Sequence, residues 1–204
     1  MAPMVTPTGQ GTRATRDAIL DAALAVIARD GLRASRMEDV AAEAGVSRQS
    51  VYYHFRSREE VLAALIDRGM AQLAASIRAS AVEGEAEDLV AEAVRFFADN
   101  RTLCRLLFTE MWGVAGDPDQ PRRLVDQAEA EIIEPLARTI ARRARSSQAA
   151  RADPSLAARA LMGQVVGVTF GPIVRDEELD PDVIIPHLRA HARAVLAPPG
   201  GDAS

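Results

Sequence analysis

Lysine is missing from this chain. All 24 basic side chains are arginine, set against 29 acidic ones for a formal charge of −5. That balance excludes a protein that binds polyanions over its whole surface. The deficit is local: residues 1–60 hold arginines and acids in equal number, eight of each, so the excess acid belongs to the remainder. Cysteine is down to one, Cys104, which excludes an intrachain disulfide and fits a reducing compartment. The most apolar run, VVGVTFGPIV at 165–174, is too short and glycine-broken to span a bilayer, and the N-terminal residues lack the apolar core of a signal sequence. A cytoplasmic protein with no membrane segment is expected. Also missing are a glycine-rich phosphate loop, a Gly-x-Ser-x-Gly turn and a cluster of metal ligands, so neither an enzyme nor a cofactor is expected. His187 and His191 share a helix face, but no third ligand lies near them, and no metal is expected.

Alternation of polar and apolar residues, the mark of a strand, is absent too. The apolar spacing is helical throughout, so the fold class is all-α. Residues 1–12, rich in Pro, Thr and Gly, read as a disordered arm. A first helix is expected over about 15–30, with Ile19, Ala23 and Ile27 on one stripe and Gly31 just past its end. Ser35 and Glu38 have the spacing of a capping box opening a second helix that ends at Gly45. Ser47 is placed to cap a third helix ending near Phe55, and Ser57 a fourth running to about Arg78. The stretch VEGEAED at 82–88 reads as a domain boundary. Helices are expected beyond it over about 86–98, 101–112, 119–145, 153–171 and 181–197. Asp117-Pro118 and Asp153-Pro154 mark two of their starts. Pro135 should kink the long one.

The most informative window is AGVSRQSVYYHFRSREEVL, residues 44–62. No Asp or Glu occurs between Ala44 and Arg58. Two short helices joined by a Gly turn form a helix-turn-helix, whose second helix can enter the major groove of DNA. Val46 and Val51 point inward by spacing, which leaves Ser47, Arg48, Gln49, Ser50, Tyr53 and His54 outward. Two adjacent tyrosines cannot share one buried side, so at least one of Tyr52 and Tyr53 faces out. These residue types suit the task. Arginine can grip guanine O6 and N7, glutamine can pair with adenine, and hydroxyls can donate to phosphate oxygens. Arg58 would stand in the first turn of the fourth helix, where free N–H groups also attract an anion. Removing acids from the window avoids repulsion by the DNA backbone.

Over residues 15–65 the order helix, Gly31, MEDVAAEAGVS, VYYHF, SREEVL resembles the tetracycline-repressor (TetR) family of bacterial transcriptional regulators. The resemblance implies phosphate contacts at Tyr52, His54 and Arg58, and base reading at Ser47, Arg48, Gln49 and Tyr53. Where the family usually has a threonine, this chain has Arg36, which reaches a phosphate but cannot cap; Ser35 is expected to cap in its place. The implied organisation is a helix-turn-helix DNA-binding domain at 13–58 and a linking helix at 59–81. An effector-binding and dimerisation domain would follow at 82–197, with a disordered tail at 198–204. The implied function is a repressor that binds a near-palindromic double-stranded DNA operator as a homodimer and is released by a small-molecule effector. An activator or a partner-controlled regulator stands as the alternative.

Phe96, Phe97, Phe108, Met111 and Trp112 cluster on the fifth and sixth helices. They read as ordinary core or, by the resemblance, as the wall of an effector pocket, with Cys104 among them and Arg101, Arg105 and Gln164 as its polar groups. Cys104 reads as a small apolar residue rather than a redox sensor. Gly163, Gly167 and Gly171 recur every four residues on one helix stripe, which lets another backbone approach, within the domain or from a second subunit. In the family the last two helices pair across a twofold axis. On that basis Gly163, Val166, Gly167, Phe170, Leu188 and Val195 are the expected dimer contacts.

Overall fold

A computed structural model describes residues 9–80, 86–112, 120–143 and 153–196, and every regular element among them is helical. The chain divides into two compact units, Met1–Arg68 and Gly69–Ser204. The division falls inside the fourth helix, not at 82–88, of which residues 82–85 lie outside the described ones.

In the first unit, α1 (Gly9–Asp30), α2 (Met37–Glu43) and α3 (Arg48–His54) pack on one another. Helix α1 begins six residues before the expected Thr15, so Gly9–Thr12 of the supposed arm are helical; the Thr15 hydroxyl donates to the Gly11 carbonyl at 2.8 Å within that first stretch. Residues 1–8 lie outside the described ones. Ile19, Leu20, Ala23, Val26 and Ile27 are buried, the expected stripe widened to a full helix face. Gly31 and Gly45 both have positive φ, 84° and 65°, at the ends of α1 and α2. These are positions where a side chain would be strained.

The pattern Ser-x-x-Glu precedes both α2 and the fourth helix, and of these two the fold uses it as a box at the fourth helix alone. At the start of α4 (Arg58–Ser80), the Ser57 hydroxyl accepts from the Glu60 N–H at 3.3 Å while Glu60 Oε2 accepts from the Arg56 N–H at 2.7 Å. The expected box at Ser35 and Glu38 does not form. The cap of α2 is Arg36, with extended backbone and no side-chain bond. The Ser35 hydroxyl donates to the Leu32 carbonyl at 2.9 Å instead, and Glu38 is taken by Arg48. Helix α4 buries Val61, Leu62, Leu65 and Ile66 before the division and Met70, Leu73 and Ile77 after it.

The second unit contains α5 (Ala86–Asp99) and α6 (Arg101–Trp112). After them come α7 (Gln120–Ala128), a π-helical turn (Glu129–Ile133), α8 (Glu134–Arg143), α9 (Pro154–Val174) and α10 (Pro181–Leu196). The region expected as one kinked helix is therefore three pieces. The ring of Pro135 removes a hydrogen bond to Glu131 and crowds its carbonyl, and Glu131 lies in the π turn, where the wider spiral takes up the misfit. The expected Asp117-Pro118 start lies outside the described residues. Asp153 caps α9 as expected, accepting from the Leu156 N–H at 2.8 Å. Helix α9 packs on α5, α6 and α8, and α10 packs along α5. Arg189 pairs with Asp88 at 2.7 Å, and Arg193 with Glu87, tying α10 to the first turn of α5. Arg159 forks onto Glu129 at 2.6 and 3.2 Å, which holds α9 to the π turn.

Candidate nucleic-acid interface

Ser47 positions the outward helix. Its hydroxyl accepts from the Ser50 N–H at 3.1 Å, and its own backbone is extended, so α3 starts sharply after the Gly45 turn. Val51 and Phe55, both with no exposed surface, anchor the inner side of α3. Arg48, Gln49, Tyr52 and Tyr53 of so short a helix are turned outward. Tyr53 is 77% exposed and Tyr52 45%, in a chain whose other aromatics are mostly enclosed. An exposed tyrosine of that extent needs a reason beyond packing. Ser47, Arg48 and Gln49 are exposed, and Ser50 and His54 half-buried. The Tyr53 ring meets that of His54 edge-on at 5.2 Å, which limits the directions either can take. Arg36 is exposed at the start of α2.

Two arginines are held in ways the sequence does not suggest. The Arg48 guanidinium pairs through Nη2 with Glu38 Oε1 of α2, although both side chains remain well exposed. Arg58 is turned inward. Its Nε donates to the Ser35 carbonyl at 3.0 Å and its Nη2 to the Leu32 carbonyl, so it clasps the loop between α1 and α2. The structure places Arg58 as a loop anchor, where the sequence suggests a phosphate contact. Arg16 lies on the first helix, where a minor-groove contact and a solvated charge were equally expected. Its guanidinium lies 4.9 Å from the centroid of the Phe55 ring, which places a cation of α1 beside the end of α3. Neither Glu38 nor Arg16 stands in a periodic relation to α3. They come to it only through the crossing of the helices.

The second unit was expected to hold a pocket and a dimer face. Phe97, Cys104 and Phe108 are buried and Phe96 is half-buried. The rings form a chain: Phe96 to Phe97 at 6.5 Å, Phe97 to Phe108 at 5.8 Å, and Phe108 to Phe170 at 5.2 Å. Burial pushes the Cys104 thiol up to about 12, so it stays protonated and unreactive at neutral pH. Arg101 and Arg105 do not turn into this cluster. Both reach Asp176 Oδ1, at 3.3 and 3.4 Å, and Arg101 also donates to the Glu177 carbonyl. Asp176 has a φ of 61°, a left-handed conformation rare for a non-glycine residue, just past α9. Of the expected polar groups, Gln164 is the one whose carbonyl oxygen is buried without a hydrogen bond; the Arg101 Nε is in the same condition. The side chains of Met111 and Trp112 lie outside the described residues.

On α9, Gly163 and Gly167 are exposed, Val166 is half-buried, and a Cβ added at either glycine would meet nothing within 4 Å. Phe170 is 37% exposed and its ring lies against Phe108, so it serves the core of this chain as well as its surface. Leu188 corrects an expectation. It is buried inside the unit, because the Ile185–Leu188–Ala192 face of α10 is used on α5. The side chain of Val195 lies outside the described residues. Sequence reasoning missed Leu156, Val168, Val174 and Val183, all large, apolar and exposed. Helix α9 is long and apolar enough to cross a membrane by length and composition, which the 165–174 run alone did not suggest, though only a third of its most apolar window is buried.

A short helix capped by serine, anchored by two apolar residues and otherwise given to hydroxyl, amide and guanidinium groups has the form of the second helix of a helix-turn-helix. Residues 19–65 match the family model described as bacterial regulatory proteins, tetR family. Over that first unit the chain is similar to the family. It is 30% identical over 112 residues to an HTH-type transcriptional repressor of Streptomyces coelicolor, a match covering 54% of this chain and 57% of that protein. It is 38% identical over 63 residues to the HTH-type regulator TtgW of Pseudomonas putida, covering 31% and 47%. The chain thus spans about half the length of these curated relatives. Its fold is similar to the solved fatty acid degradation regulator FadR of Bacillus halodurans, with TM-score 0.71, 20% identity and 97% and 99% of the two chains covered. A solved SmeT–triclosan complex is similar at TM-score 0.65 and 25% identity, over 94% and 98% of the two chains.

Proposed function

We propose that this chain is a transcriptional repressor that binds a near-palindromic operator as a homodimer and leaves it when a small-molecule effector occupies the second unit. The observation that carries the reading is α3, with Ser47, Arg48, Gln49 and Tyr53 exposed above the buried pair Val51 and Phe55. Such a helix fits a major groove, with Tyr52 and His54 toward the phosphates. Two copies would read half-sites about one helical turn of DNA apart, or a small multiple of that.

The exposed apolar face of α9 supports the dimer. A helix of that composition in water needs cover, and Gly163 and Gly167 let a second backbone come close. The aromatic chain from Phe96 to Phe170 and the unsatisfied Gln164 carbonyl support an apolar effector that carries at least one hydrogen-bond donor. The triclosan complex of a similar protein agrees with an aromatic ligand of that kind. The effector acts through its differential affinity for two placements of α4 and can shift the balance by no more than that difference. The proposed parts are a reading domain at 13–58, a linking helix at 59–81 and an effector and dimer domain at 82–197, working on cytoplasmic DNA.

Selection of duplexes from a random pool tests the reading directly. A palindromic consensus with retention well above bulk competitor, and repression from a promoter carrying it, is the expected result. No enrichment of any sequence at low salt would overturn it.

A further inference from the structure

The window from Ala44 to Arg58 is free of acids in the sequence, yet the fold returns one carboxylate to it: Glu38 of α2, paired with Arg48 at the first position of α3. Among the described residues no other carboxylate bonds to a side chain of α3, and Arg48 has no other hydrogen-bond partner. A carboxylate beside a DNA-reading helix repels every phosphate alike and so weakens binding to all sequences. That penalty would vanish if residue 38 were neutral.

The geometry offers a compensation. A guanidinium carries five N–H groups in one plane, and the pair engages Nη2 alone. A fork of two N–H groups remains for the O6 and N7 of a guanine, and the tether to the carboxylate narrows the directions that fork can take. Without it, Arg48 is a long, exposed side chain with many rotamers, as able to meet a phosphate as a base. We propose that Glu38 is a positioning residue for sequence readout: by holding Arg48 it directs the guanidinium to one base pair of each half-site and keeps it from the backbone. This rests on the reading of α3 as the helix that enters DNA.

The test uses the full chain, the duplex selected by the wild-type protein, and versions of that duplex changed at one base pair. In E38Q the discrimination at one base pair of each half-site should fall about tenfold. Affinity for mixed-sequence competitor DNA should rise about twofold, with a steeper salt dependence, because a negative charge has left the interface. In an R48A background E38Q should change neither the preferred base nor its margin. A purely structural role in α2 would lower affinity for all DNA together and would depress the melting temperature. That result would overturn the proposal, as would two others: a rise on every sequence with discrimination unchanged, which makes Glu38 only a competitor of DNA, or a changed preference that persists in R48A, which makes Glu38 itself the reader, through a cytosine amino group. Failure of the wild-type chain to select any duplex is a different outcome and sinks the reading of α3 instead.

Discussion

Arg58 and Ser35, 23 positions apart, are joined by a hydrogen bond of 3.0 Å from the guanidinium Nε to the carbonyl oxygen. The same guanidinium donates to the Leu32 carbonyl, so one side chain from the start of α4 satisfies two acceptors of the loop that leads into α2. Arg58→Ala leaves both carbonyls half-buried and unpaired, at about 2 kcal/mol. Hydrogen exchange should quicken over residues 31–40, and the urea midpoint should fall. Because the guanidinium is engaged inside the unit, the slope of log affinity against log salt should stay as it is. A slope reduced by about one would mean that Arg58 neutralises a phosphate after all.

Much of this was legible in the sequence, for identifiable reasons. Helix-turn-helix packing depends on residues close in sequence, so Gly31, Gly45, Ser47, Val51 and Phe55 all stand where spacing puts them. Helices α5 and α6 were legible too, because their apolar stripes are strong and their ends fall at helix-breaking positions. The failures share a cause, which is competition for one group between distant partners. Ser35 and Glu38 fit a capping box locally, but Leu32 and Arg48 take them. Arg58 fits a phosphate contact by position, but the loop carbonyls take it. Leu188 lies on an apolar stripe whose partner, α5, no periodicity in α10 could name. The π turn before Pro135 is a response to one residue that the helical spacing of its neighbours conceals.

Gly69 tests how closely α4 and α6 approach. A Cβ built there would lie 2.5 Å from Leu103 Cδ2 and 2.9 Å from its Cγ. In an exposed helix Gly→Ala stabilises by about 1 kcal/mol. Here overpacking of about 1–3 kcal/mol opposes it, since Leu103 is itself buried and must change rotamer. Gly69→Ala should therefore lower the urea midpoint. Adding Leu103→Ala should turn the effect of Gly69→Ala favourable, a change of sign that a double-mutant cycle would read.

Cys104 gives a pH dependence of known sign. Its thiol moves from an ordinary 9.0 up to about 12 on folding, because burial disfavours the thiolate. The stability tied to this group is whole below about pH 9 and is lost as pH rises toward 12, since the unfolded chain ionises first. The stability difference between the native chain and Cys104→Ala should thus shift against the native chain between pH 8 and pH 10.5 in urea titrations. At pH 7.5 a thiol reagent should modify the folded protein slowly and the unfolded protein at once. Rapid labelling of the folded chain would show that the α6 interior opens to solvent.

Gly167 decides whether the exposed face of α9 is an interface between copies. In a single chain a Cβ at this exposed position meets nothing within 4 Å, so Gly167→Leu should leave the monomer fold intact and its helical circular dichroism unchanged. In a dimer with α9 against α9, the same isobutyl group enters a space sized for backbone approach, and overpacking of about 1–3 kcal/mol should weaken association about tenfold or more. Sedimentation velocity over a micromolar concentration series should show the dimer of the native chain giving way to monomer in the variant. Affinity for a two-half-site operator should drop with it, while affinity for a single half-site stays. A variant that remains dimeric with unchanged affinity would move the interface off the glycine stripe, and Val168 and Val174, which share the exposed side of α9, would then need another partner.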